Sequence, residues 1–325
     1  MRLTGDFEAQ KAKVSKDRIA HSNELAETPS RPMTPQPCKS FGYLSLVKQA
    51  SHVVLKLKLP LLKFRLLCSA AFLLMASATT TLASTSTNLD LSELFGSHAG
   101  CFVMYDAGSD RYVRYNAQAC AERFTPCSTF KIANSLIALQ TGVVPGPEFS
   151  LKWDGVVHPI APWNKDQTMY SAFSNSVLWY YQEIASRIGP KRMNDYVKRL
   201  DYGNADITGG ITNFWIESSL QISADEQVEF VRRLWSDELP IGERAQQITR
   251  ELMKISQDTT GRILYGKTGT AGDAKADIAR LGWFVGCVTH GDRKVFFATR
   301  ITGEPDASGR LARKITEDIL KKLGI

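Results

Sequence analysis

Between Pro126 and Gly142 lies the segment that most restricts how this chain folds. Phe130, Ile132, Ala133, Leu136, Ile137 and Leu139 fall within ten residues of one another. Apolar side chains at that density cover most of a helix circumference, so the segment predicts a helix buried on nearly every side. A proline near its start and a glycine past its end are the matching punctuation. Such a helix has to occupy the middle of a domain, with the other elements packed around it.

The rest of the chain supplies those elements in a telling order. Phe102-Val103-Met104-Tyr105 and Tyr112-Val113-Arg114-Tyr115 flank Ala107-Gly108-Ser109-Asp110 and predict a β-hairpin. Residues 87–97 carry helical spacing, and about 170 to 254 is mostly helical by period. Strands are expected again over 262–267, 280–289 and 294–301, and an amphipathic helix over 311–323 ends the chain. Strands at both ends with helices between imply an α+β fold in α/β/α layers. A central antiparallel sheet is built from both chain ends, and an all-helical region is inserted into it.

The charge is unevenly placed. Of 40 Lys+Arg and 33 Asp+Glu, residues 1–84 hold 12 and 5, which leaves 28 of each sign in residues 85–325. A neutral fold offers no electrostatic footprint to phosphate backbones, so nucleic acid is not an expected partner. Lys56, Lys58, Lys63 and Arg65 precede the apolar run Leu66 to Ala78, and small residues follow through Ala83. This is the layout of a secretory signal over 55–84, with periplasmic export as its consequence. The run is too short for a membrane-spanning helix, so no stable membrane anchor is expected. Residues 1–54, with Pro32, Pro35 and Pro37, read as a disordered or over-called extension, which leaves 85–325 as the folded domain.

Export changes how the cysteines read. Cys101 and Cys120 flank the hairpin, and a bridge between them is one arrangement an oxidising compartment allows. Cys127 and Cys287 are expected reduced and buried. The histidines are isolated, with no H-E-x-x-H and no C-x-x-C, so no metal is expected.

The chemistry begins at the head of the buried helix. Ser128-Thr129-Phe130-Lys131 puts a hydroxyl and an amine one turn apart on one face. A serine needs a base to become a nucleophile. A lysine serves as that base only when uncharged, which burial among apolar groups favours. The helix N-terminus also favours negative charge developing on oxygen. Taken singly, such a pair also occurs in helix caps. Lys267-Thr268-Gly269 ends an apolar strand and combines a cation, a hydroxyl and a glycine that permits close approach, a combination suited to gripping a carboxylate. Ser176-Val177-Leu178 opens a helix of the inserted region, where its serine has an ordinary N-cap role as well.

These motifs, together with Pro126-Cys127, Tyr202-Gly203-Asn204, Phe214-Trp215, Trp163-Asn164-Lys165-Asp166 and Gln182-Glu183-Ile184, resemble the class D (oxacillinase-type) serine β-lactamases over about residues 95–325. The resemblance implies hydrolysis of β-lactam antibiotics through an acyl-enzyme on Ser128, and hence antibiotic resistance. It implies a Lys131 carboxylated by CO₂ as general base, with the Trp215 indole N–H as donor to the carbamate and no other cofactor. Ser176 would relay a proton, Lys267 and Thr268 would hold the substrate carboxylate beside Gly269, and the backbone N–H groups of Ser128 and Thr270 would form the oxyanion hole. It also implies a Cys101–Cys120 disulfide. The alternatives within the same chemistry are a penicillin-binding sensor domain or a D,D-peptidase, which acylate without efficient turnover.

Four positions depart from the family pattern. Leu178 stands where valine is usual, beside the expected carbamate pocket. Thr270 and Ala271 replace an aromatic residue. The family's carboxylate-binding arginine, counted back without gaps from Ile315-Thr316, falls on Ala312, with Arg310 and Arg313 on either side. The substrate spectrum and the oligomeric state are left open by the sequence.

Overall fold

The computed structural model describes residues 85–273 and 278–325. The leader and extension expected over 1–84 lie outside the described residues. In chain order the strands are β1 (Thr85–Asn88), β2 (Ala99–Asp106), β3 (Arg111–Tyr115), β4 (Ser150–Leu151), β5 (Gln167–Thr168), β6 (Lys254–Gln257), β7 (Ile263–Asp273), β8 (Ile278–His290), β9 (Arg293–Thr302) and β10 (Asp306–Ala307). The helices are α1 (Ser92–Phe95), α2 (Ala117–Ala121), α3 (Lys131–Gln140), α4 (Met169–Ser174), α5 (Leu178–Ile188), α6 (Pro190–Arg199), α7 (Ala224–Trp235), α8 (Glu243–Leu252) and α9 (Gly309–Lys322).

The main sheet runs β1-β3-β2-β9-β8-β7-β6, with β10 beside β8. The expected hairpin forms with Phe102 opposite Tyr115 and Asp106 opposite Arg111. The two chain ends meet where β2 pairs antiparallel with β9, Ala99 opposite Thr302. Two features differ from the sequence reading. β1 joins β3 in parallel and β10 joins β8 in parallel, as short additions to a sheet that is antiparallel from β3 through to β6. Residues 87–97 form the end of β1 and the one-turn helix α1 rather than a continuous helix. The Thr85–Asn88 backbone pairs with the exposed edge of β3, and that ladder outweighs the weak helical spacing.

Side chains of β2 alternate between two cores, which is why its sequence is a nearly unbroken apolar run. Phe102 and Met104 join Phe284, Phe297 and the α9 residues Ala312, Ile315 and Ile319 on one face. Cys101 and Val103 join the helical region on the other. There α3 is enclosed as its composition predicts, with every residue from Lys131 to Leu139 buried.

The cysteines require a correction. Cys101 and Cys120 are buried free thiols, as are Cys127 and Cys287. Cys101 and Cys120 share a hydrogen bond that holds the Cys101 thiol below its ordinary range, aided by the Arg300 guanidinium, and raises that of Cys120. The carbonyl oxygens of Phe102 at 3.4 Å and Tyr115 at 3.6 Å are alternative acceptors for the single Cys120 S–H proton. The hairpin brings the pair together, but sulfur-to-oxygen hydrogen bonds take the place of the bridge.

Leu136 is fully buried at the centre of α3. Leu136→Ala is expected to lower the unfolding free energy by roughly 2–5 kcal/mol in urea titration. A loss well below 1 kcal/mol would contradict the central position of this helix.

Candidate active site

The nucleophile candidate sits on a tight turn rather than in the α-helix proper. A 3₁₀ turn spans Cys127–Phe130 and runs directly into α3. Cys127 holds φ at +51°, a conformation that costs a non-glycine residue energy and is kept only where packing over-determines it. The turn is packed against β7. A Cβ on Gly269 would stand 2.9 Å from the Pro126 carbonyl oxygen, so only glycine lets the strand approach this closely.

Ser128 and Lys131 meet as their spacing predicts. Lys131 Nζ donates to Ser128 Oγ at 2.9 Å. The amine is 1 % exposed and lies 5.3 Å from the centre of the Tyr181 ring. Burial holds Lys131 well below the ordinary lysine range, and the nearby Lys267 charge pushes it further in the same direction.

A second lysine–serine pair faces the first. Lys267, 5 % exposed on β7, donates to Ser176 Oγ at 3.0 Å and to the Thr268 carbonyl at 3.0 Å. Burial pushes Lys267 from near 10.5 down to about 7. Ser176 does not cap α5. Val177 takes that position, and Ser176 stands before it at φ +56°. This left-handed kink turns the hydroxyl from a capping role toward Lys267, which the sequence did not reveal.

Both pairs border a cleft of about 740 Å³ lined by Ser128, Ser176, Leu178, Trp215, Thr268 and Thr270, with Arg310 and Arg313 at its margin. Trp215 is buried and stacks on Phe130 with ring centroids 5.5 Å apart. Thr125 ties the Trp215 loop to the nucleophile's turn. Its hydroxyl donates to the Trp215 carbonyl at 3.0 Å and accepts from Glu217 N at 3.1 Å, while its own carbonyl accepts from Trp283 Nε1 at 3.0 Å. Thr270 has a further task, as its hydroxyl accepts the Gly309 N–H at 2.9 Å.

On the opposite wall, motif reading picked out Trp163 and missed the other three residues. Pro159, Ile160, Trp163 and Ile216 line it. Asp166 fixes their loop by accepting from Lys152 Nζ at 2.6 Å and Trp153 N at 3.0 Å, and Asn164 bonds both backbone groups of His158. The available signal was the run of apolar residues in a segment with no helical or strand period. Ile160 is left 41 % exposed at the mouth, with no core to account for it.

The titration of Lys267 bears on stability. Its amine is harder to protonate folded than unfolded, so between about pH 7 and 10.5 the unfolded chain binds more protons and stability rises with pH. The gain has a limiting slope on the order of 1.4 kcal/mol per pH unit and is lost as pH falls toward 7. Lys267→Met is expected to flatten the unfolding free energy against pH over this window, measured by urea titration at several pH values. Equal slopes in the two proteins would show that the amine is not desolvated.

Comparison with known proteins agrees with this geometry. The penicillin-binding-protein transpeptidase domain matches residues 70–321. The probable β-lactamase YbxI of Bacillus subtilis (strain 168) is 39 % identical, over 73 % of this chain and 85 % of that protein. The structure of the class D β-lactamase BAT-2 is 40 % identical, covering 73 % of this chain and 96 % of its own at a TM-score of 0.68. The C-terminal domain of the Bacillus licheniformis BlaR penicillin receptor is 33 % identical, covering 75 % of this chain and 98 % of its own at a TM-score of 0.71. With two buried lysine–serine pairs on one cleft and relatives of this kind spanning nearly all the described residues, the chain belongs to the class D β-lactamases of the penicillin-binding transpeptidase family.

Proposed function

We propose that this protein hydrolyses β-lactam antibiotics through an acyl-enzyme on Ser128, and that it does so after export to the periplasm. The observation that carries the reading is the 2.9 Å contact between Ser128 Oγ and a Lys131 amine whose burial favours its uncharged form. A neutral amine at that distance accepts the hydroxyl proton as Oγ attacks the lactam carbonyl. The carbonyl carbon becomes tetrahedral, and its oxygen takes up negative charge beside the backbone N–H groups of Ser128 and Thr270. As the ring C–N bond breaks, Ser176 Oγ gives its proton to the leaving nitrogen and Lys267, at 3.0 Å, replaces it. Thr268 faces the substrate on the same wall. Once the proton that Lys131 took from Ser128 has been returned through solvent to the depleted Lys267, Lys131 is again a base. It takes a proton from the water that attacks the ester carbon and gives it to Ser128 Oγ as the ester C–O bond breaks.

The Lys131 site also fits carboxylation by CO₂. Burial drives the amine toward its uncharged form, and the Trp215 indole N–H makes no hydrogen bond among the described residues. A carbamate held by Trp215 and Ser128 would supply an anionic oxygen base for both proton transfers.

The sensor reading has support of its own. This chain is 35 % identical to the regulatory protein BlaR1 of Bacillus licheniformis but spans only 37 % of it. Turnover separates the two readings. The purified protein is expected to hydrolyse many equivalents of nitrocefin per molecule, whereas a burst of one equivalent followed by no further reaction would identify a receptor or a D,D-peptidase.

Ser128→Ala is expected to abolish covalent labelling by a fluorescent penicillin on a denaturing gel. Trp215→Ala should keep part of its acylation rate, deacylate more slowly, and regain turnover as bicarbonate is raised. A Trp215→Ala profile indifferent to bicarbonate would exclude a carbamate on Lys131.

A further inference from the structure

Three contacts tie the start of α7 to the nucleophile's turn. Phe124 N donates to the Ile222 carbonyl at 3.0 Å and Ile222 N to the Phe124 carbonyl at 2.8 Å, which fixes the chain just before the turn. Arg123 pairs with Glu226, and Glu226 also closes the capping box of α7 by accepting Ser223 N at 2.8 Å. The third contact reaches the turn itself, where Gln227 Nε2 donates to Thr129 Oγ1 at 2.8 Å.

Thr129 directly follows Ser128. Its hydroxyl donates to the Pro126 carbonyl at 2.7 Å, and its N–H donates to the same oxygen at 3.1 Å. A carbonyl oxygen only accepts, so the single hydroxyl proton lies on that bond. The hydroxyl's remaining capacity is to accept, and the Gln227 amide supplies the donor. Gln227 Oε1 in turn accepts from the Tyr202 hydroxyl at 3.5 Å. Thr129, Tyr202 and Gln227 are completely buried, so solvent does not replace a lost partner.

The Tyr202-Gly203-Asn204 motif has its place in the same assembly. Gly203 holds φ at +58°, and a Cβ there would stand 2.0 Å from the Gln221 carbonyl oxygen. Asn204 N donates to that oxygen at 2.9 Å, and Asn204 Oδ1 accepts Gln221 N at 3.0 Å. The motif thus grips the chain that leads into α7, and its tyrosine reaches Gln227 within the helix.

We propose that Gln227 is a positioning residue for the nucleophile. It does not line the cleft and acts through Thr129. By fixing the Thr129 hydroxyl on Pro126, it keeps the left-handed kink at Cys127 closed and Ser128 Oγ aimed at Lys131. A strained turn relaxes when its ties are lost, and a small displacement of the attacking atom costs rate rather than binding. The inference rests on the reading of Ser128 as the acylated nucleophile.

The test follows acylation by a fluorescent penicillin, resolved into the dissociation constant of the non-covalent complex and the rate constant of ester formation. It compares wild type, Gln227→Met, Thr129→Val, Thr129→Ser and the double variant Gln227→Met/Thr129→Val. Urea titration of the same proteins and of Val228→Ala, a buried neighbour on α7, separates positioning from plain loss of stability. Gln227→Met is expected to slow ester formation about tenfold, the effect of one buried hydrogen bond, with the dissociation constant unchanged. Thr129→Val gives the same loss, Thr129→Ser recovers most of it, and the double variant is no slower than either single one. Val228→Ala loses stability but acylates like wild type.

A Gln227→Met protein that is less stable yet acylates at the wild-type rate overturns the proposal, as do losses that multiply in the double variant. If Gln227→Met does not fold, Thr129→Val against Thr129→Ser decides, and equal rates in the two overturn it. A wild type that is acylated but does not turn over refutes the hydrolase reading alone, and the same acylation rates still decide the role of Gln227. A wild type that is never labelled overturns both.

Discussion

The rest of the structure depends on keeping the Lys131 amine out of water. Burying an ammonium costs several kcal/mol, so the group sheds its proton instead and becomes a base within reach of Ser128. The sequence achieves this by placing one lysine at the head of a helix buried on every side, with the Tyr181 ring 5.3 Å from its amine. Lys267 reinforces the effect from β7, because two ammonium groups this near each other disfavour both charges. The fold thus keeps two lysines in a state that weakens it at neutral pH, an example of stability given up for reactivity.

The parts of the fold legible in the sequence are those governed by local period. The enclosed helix, the first hairpin and the closing amphipathic helix all follow from spacing, and the Ser128–Lys131 contact follows from three residues of separation on one helical face. What was not legible depends on contacts distant in sequence. The parallel pairing of β1 is decided by the open edge of β3. The left-handed backbone at Ser176 has no signature in a serine, since nothing there replaces it with glycine or asparagine. Cys101 and Cys120 were correctly placed together, yet their hydrogen bonding as thiols is a matter of sulfur environment that spacing does not encode.

The site is assembled from four separate stretches held by side-chain and backbone contacts. The turn at Ser128, the kink at Ser176, the loop at Trp215 and the strand at Lys267 share no secondary element. Thr125 joins the first to the third, the Gly269 approach joins the first to the fourth, and Lys267 reaches the second. Pre-organisation of this kind fixes reacting atoms at little entropic cost when substrate arrives. The facing wall of Ile160 and Trp163 is held by side-chain ties to Asp166 and Asn164, so the rim can change composition without disturbing the reacting groups.

The pairing of β2 with β9 has a consequence for biosynthesis. These neighbours are separated by almost the whole domain, so β2 leaves the ribosome long before its partner exists. Until β9 arrives, the sheet between them is unformed, and β7 and β8 have nothing to complete them on that side. Lys131 and Lys267 then remain hydrated and charged along an extended chain. The nucleophile is therefore dormant throughout elongation, and it acquires reactivity only when the final strand closes.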